Sequence, residues 1–128
     1  MLCRGIRGAT TVAENDRELI VAACKELLQK MVELNRVKID DIACVWFTTT
    51  QDLNKVFPAV AARDMGWVNT ALLCGHEMNV PNSLSNCIRV MMLVNTDKGN
   101  KEIKHVYLKG AKTLRPDLVL DYLNKEEE

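Results

Sequence analysis

The sequence predicts an α+β fold, a single domain in which a mixed five-stranded sheet packs against one long and one short helix. Three observations lead there. A chain of 128 residues that is 48% hydrophobic has material for one core and no more. One long segment repeats its apolar residues at helical spacing, and a second, short one opens at a proline and closes at a glycine. The remaining apolar segments are short and rich in β-branched residues, as strands are. No internal repeat, low-complexity tract or Pro/Gly linker divides the chain. The expected domain is 1–118, with 119–128 a flexible acidic tail ending Asn-Lys-Glu-Glu-Glu.

Residues 2–12 read as the first strand, with Gly5 and Gly8 leaving room for another backbone or a ligand. Asn15, with Glu18 three places on, resembles a capping box opening the long helix. Ile20, Ala23, Cys24, Leu27, Met31 and Leu34 form its apolar stripe, which runs out at Asn35-Arg36. Ile42–Thr49 is the second strand, followed by a polar loop. Pro58 then suits the first turn of a short helix, Ala59–Met65, ended by Gly66. Trp67–Cys74, Cys87–Asn95 and Ile103–Lys109 read as the third, fourth and fifth strands, with Val80-Pro81-Asn82-Ser83 as a turn. The first half has βαβ-like spacing.

Seventeen basic and seventeen acidic residues cancel, which argues against a general binder of nucleic acid or of acidic membranes. No apolar run approaches the length of a membrane span, and the N-terminus lacks a signal-peptide core, so a cytoplasmic protein is expected. Cys3, Cys24, Cys44, Cys74 and Cys87 are odd in number and scattered. They read as reduced thiols rather than a disulfide framework.

Arg89 interrupts the most apolar strand. By alternation it shares a face with Met91 and Leu93, while Ile88, Val90, Met92 and Val94 share the other. A guanidinium aimed into an apolar face needs an anion there, either a ligand or a structural partner such as Glu77. Arg7, between two glycines, is a surface arginine near a strand end or a second ligand group. Arg63 on the short helix and Arg115 before Pro116 are solvated, salt-bridged or ligand-binding. Several arginines without a phosphate-binding glycine loop suit a small carboxylate, whose geometry a planar fork matches. Cys74-Gly75-His76-Glu77 suggests a metal or a Cys–His nucleophile. No second ligand cluster follows at metal-site spacing, so neither metal nor cofactor is expected. Phe57 and Tyr107 are core residues or pocket walls.

Together these pieces resemble the trimeric AroH-type chorismate mutases over almost the whole chain. The resemblance rests on Arg4-Gly-Ile-Arg-Gly-Ala-Thr-Thr-Val12, on Val56-Phe-Pro-Ala59 through Ala61 and Arg63, and on Cys87-Ile-Arg-Val-Met-Met92. His105-Val-Tyr-Leu108 and Leu114-Arg-Pro-Asp-Leu118 complete it. It implies a homotrimer shaped as a pseudo α/β barrel, active sites between subunits, and chorismate, a dianion, as substrate. The implied catalytic residues are Arg89 at the ether oxygen and a carboxylate, Glu77 at the ring hydroxyl, and Arg7 at a carboxylate. Tyr107 at the enolpyruvyl chain and Cys74 complete that set. Phe57, Ala59, Leu72, Leu73 and Leu114 would line the pocket with Cys74, and Arg63 and Arg115 would close it or steer the dianion. Val60 stands where the family often has lysine, and Leu73 where a threonine may sit, so the rim loses polar groups.

Such a rearrangement breaks a C–O bond and makes a C–C bond within one molecule. It needs a compact conformer to be held and charge to be stabilised on the breaking ether, with no nucleophile, metal or redox group. The competing expectations are a trimeric imine or enamine deaminase-like enzyme, which would need a positioned water, and a non-catalytic protein that only binds small carboxylates.

Overall fold

The computed structural model describes residues 1–118. The expected tail, 119–128, lies outside the described residues. Strands β1 (Leu2–Thr11), β2 (Ile42–Thr49), β3 (Ala71–His76), β4 (Cys87–Thr96) and β5 (Val106–Tyr107) form one sheet in the order β3-β2-β4-β1-β5. Helices α1 (Arg17–Asn35) and α2 (Ala59–Asp64) both contribute to a core on one face of that sheet. β4 is antiparallel to both β1 and β2, whereas β3 lies parallel to β2 and β5 parallel to β1. The fold class is therefore the one expected. The βαβ unit is β2-α2-β3, because β4 inserts between β1 and β2.

The alternation of β4 decides which face is which. Ile88, Val90, Met92 and Val94 are buried beneath the helices, where they meet Ile20, Leu27, Leu28 and Met31 of α1. At Gly8 a side chain would strike α1, since a Cβ there would fall 2.4 Å from Met31 Sδ. β2 reaches the same face through a bulge between Ile42 and Cys44, which lets Ile42 and Val45 both point to the core.

Local differences from the expectation have identifiable causes. Asp16, rather than Asn15, caps α1 by accepting from the Leu19 N–H at 3.0 Å, because Asn15 is engaged with Asn54. β3 starts at Ala71. Trp67 instead closes α2 by donating its N–H to the Ala62 carbonyl, and its ring is buried. The fifth strand shrinks to Val106–Tyr107, since the His105 side chain takes the place of the main chain, Nδ1 accepting the Arg7 N–H at 2.9 Å.

Asn35 fastens this short strand to α1. It is 3% exposed, its Nδ2 donates to the carbonyls of Met31 and Lys104, and its Oδ1 accepts the Lys104 N–H. Asn35→Ala would strand these buried backbone groups and should cost about 2–4 kcal/mol. A lower urea midpoint at unchanged slope is the expected result, and a midpoint like wild type would show that water replaces the amide.

Candidate active site

The face of the sheet away from the helices is covered only at its β1–β5 end, where Leu84, Ala111 and Leu114 pack on Ala9 and Tyr107, and is open over β2, β3 and the middle of β4 among the described residues. The strand registers align one row across all five strands there. Gly75 pairs with Thr48, Thr48 with Arg89, Arg89 with Ala9, and Ala9 with Tyr107. Small side chains flank Arg89 in this row, so the sheet is hollowed around its guanidinium. The next row on this face, Leu73, Trp46, Met91 and Arg7, is bulky and forms one wall.

The result is a hollow of about 650 Å³, of the size small-molecule sites take. Arg7, Glu77, Arg89 and Arg115 bring charge to it, and Leu73, Cys74, Tyr107 and Leu114 also line it. Arg89 does share a face with Met91 and Leu93, but this is the uncovered face, and its side chain is 48% exposed. Its Nε lies 3.8 Å from Glu77 Oε2, a loose ion pair rather than a closed fork-to-carboxylate bond. Glu77 stands one residue past the end of β3, where its N–H donates to the Thr49 carbonyl at 2.8 Å. Its carboxylate accepts from the Thr48 hydroxyl at 2.5 Å.

Arg7 sits beside Met91, one pleat along from the Ala9–Arg89 pair, so both guanidiniums lie on one face of neighbouring strands. Tyr107 is 5% exposed and packs with Ala9, Ala111, Leu84 and Leu114 at the far edge. Arg115 is held at the rim by Asp117 through two hydrogen bonds, at 3.1 and 3.0 Å. Burial, with the nearby charges of Arg7 and Arg115, pushes the His105 pKa below its ordinary value, which suits a neutral ring accepting from Arg7.

The other expected site residues lie elsewhere in the single chain. Phe57 is 71% exposed and lines a second hollow with Pro58, Val60 and His76; Cys74 and Gly75 line both hollows. Arg63 is exposed on α2. Ala59 is 2% exposed in the core, and Leu72 packs against the core because it shares the pleat of buried Val45. Neither lines either hollow within one chain. Conversely, Trp46, Thr48, Gly75 and Met91 line the main hollow and were not singled out from sequence. Alternation along β4 already puts Met91 on the face of Arg89, but only the cross-strand register brings Trp46, Thr48 and Gly75 of β2 and β3 to it.

The Cys74–His76 motif is absorbed structurally. His76 Nδ1 shares a hydrogen bond with Thr49 Oγ1 at 3.2 Å, and burial raises the Cys74 pKa. Among the described residues no three His, Cys, Asp or Glu side chains converge as metal ligands. Burial also raises the Cys87 pKa and pushes that of Cys24 up to about 12, so these three cysteines stay protonated thiols near neutral pH.

Comparison with known proteins shows the family. A chorismate mutase from Bacillus subtilis is 46% identical over 121 residues, which is 94% of this chain and 95% of that protein. One from Thermus thermophilus is 48% identical over 118 residues, covering 91% of this chain and 97% of its own. The structure of a chorismate mutase from Clostridium thermocellum superposes with a TM-score of 0.85 at 57% identity, covering 86% of this chain and 98% of that one. With the family profile of chorismate mutase type I matched across residues 3–118, the chain belongs to the type I chorismate mutases.

Proposed function

We propose that the hollow around Arg89 binds the chorismate dianion and rearranges it to prephenate. The observation that carries this is the placement of Arg89 in the row of small residues, with Arg7 on one side and Glu77 on the other. The family makes this chain a chorismate mutase, an isomerase of aromatic amino acid biosynthesis. It gives no support to a deaminase-like or purely binding role.

The reaction is unimolecular, so the site acts through conformation and charge. Arg7 and Arg89 hold the two ends of a flexible dianion in its compact form, an orientation effect. As the C–O bond breaks, negative charge grows on the ether oxygen and positive charge on the ring. Arg89 meets the first with a fixed cation, and Glu77 faces the second from the hydroxyl side. Arg7 grips a carboxylate equally in ground and transition states, so it serves affinity more than rate. Tyr107 orients the enolpyruvyl chain from the far edge.

The site is completed in a homotrimer, with Phe57, Arg63 and the start of α2 of one subunit closing the hollow of the next. Two features support this reading. Trp46 and Leu73, 50% and 59% exposed, leave an apolar surface beside the hollow, and Phe57 presents a bare ring away from it. Trimerisation of the open faces into a pseudo-barrel would cover both. We place the enzyme in the cytoplasm, where its scattered thiols remain reduced.

Loss of chorismate absorbance on adding the protein tests the activity itself. Arg89→Ala should lower kcat by well over ~100-fold, on the scale of losing an oxyanion donor. Arg89→Lys should recover only part of that, because it keeps the charge but not the fork. Arg7→Ala should instead act mainly on KM. If folded Arg89→Ala kept near-normal kcat, the charge stabilisation would belong to another group.

Mixing inactive Arg63→Ala and Arg89→Ala subunits tests the shared site. Random equal mixing rebuilds roughly a quarter of the sites with both arginines. Mixed trimers without activity would assign both residues to one chain's contribution.

Turnover should be flat with pH through the neutral range, because guanidinium groups keep their charge and the buried thiols stay protonated. The folded pKa of His105 is depressed, so the unfolded chain binds its proton first as pH falls below the ordinary value of about 6.5. Stability is therefore fully present above that value and declines below it. A thermal midpoint that rose on mild acidification would contradict the assignment of a neutral His105.

A further inference from the structure

Thr48 lies on the open face of β2 directly opposite Arg89, and its hydroxyl donates to Glu77 Oε2 at 2.5 Å. That oxygen is also the one 3.8 Å from Arg89 Nε. A carboxylate and a guanidinium this close, both reaching into a half-open hollow, would ordinarily close into a bidentate pair. Such a pair would occupy the fork of Arg89 and turn both charges toward each other. The backbone of Glu77 is fixed by its bond to Thr49, so the remaining freedom is that of its side-chain torsions.

From this geometry we propose that Thr48 is a positioning residue for the reaction, holding the Glu77 carboxylate short of Arg89. The bond to the Thr48 hydroxyl occupies the nearer carboxylate oxygen. Glu77 Oε1 is left to the ring hydroxyl, and the Nη atoms of Arg89 to the ether oxygen and carboxylate. Thr48 does not touch the reacting atoms and acts through Glu77. The β2–β4 register supplies the reach, because a residue two places along the strand would meet a different level of the sheet.

The inference rests on the role given above to Glu77 and Arg89, so the test begins with Glu77→Gln. That variant should lose much of kcat. Thr48→Val keeps the β-branched shape and removes the hydroxyl. It should lower kcat on the order of tenfold, with KM within about twofold, since the charge it aligns matters chiefly in the transition state. Thr48→Ser should recover most of the loss, and Thr48→Ala gives the same deletion if the valine variant folds poorly. In a Glu77→Gln background Thr48→Val should change kcat by less than about twofold, because there is no carboxylate left to hold. If Glu77→Gln is impaired while Thr48→Val retains kcat, or if the two losses simply multiply, Thr48 positions nothing and the site reading stands. If Glu77→Gln turns over like wild type, the role of Glu77 falls and this inference falls with it.

Discussion

Everything on the open face of the sheet depends on the antiparallel register of β4 with its two neighbours. Pairing Arg89 with both Ala9 and Thr48 puts the guanidinium at the centre of a shallow depression and places Arg7 one pleat away. A slip of one residue would turn Arg89 toward α1 and expose the Ile88–Val94 series, so the core and the site specify the register together. The apolar residues beneath the helices supply the energy that fixes the strand, and the charged residues opposite inherit their positions from it. A charge held that way is pre-organised, since its backbone has no freedom to retreat when a ligand arrives.

The same arrangement explains how Arg89 and Glu77 can lie side by side without neutralising each other. Their separation is set by separate anchors. Arg89 stands mid-strand, while Glu77 lies just past the end of β3 with its amide bonded to β2 and its carboxylate bonded to Thr48. Opposite charges held in a loose pair beside a hollow produce a directed field. A substrate that becomes dipolar as it reacts is stabilised by such a field more than its resting form is.

Much of this was legible in the residues. The apolar stripe of α1 and the alternation of β4 fixed those elements, and an arginine within so apolar a strand singled itself out. Helical and strand periodicities are local, and the sequence carries them directly. What was not legible was relational. Thr48, Gly75 and Ala9 have unremarkable side chains, and their part in the site arises from sitting in one row with Arg89, which no spacing along the chain encodes. Trp67 misled because an aromatic next to an apolar run reads as strand, whereas its backbone N–H closes α2 and its ring is buried in the core. At β5, strand propensity over Ile103–Lys109 was outweighed by the histidine ring that substitutes for a backbone carbonyl. Leu72 and Ala59, named by resemblance alone, turn to the core within the single chain, a placement that a motif does not carry.

The clamp at Asn35 bears on dynamics as well as stability. β5 contributes only two residues of pairing to the edge of the sheet, so by ladder bonds alone it would be the first part to open in native-state fluctuations. By tying Lys104 to the last turn of α1, Asn35 joins that edge to the most deeply buried helix. Amide hydrogens of β5 should then exchange with solvent in step with the end of α1. The wall that carries Tyr107 is thereby joined to the interior, while the nearby rim at Arg115 is held only by an exposed local pair with Asp117.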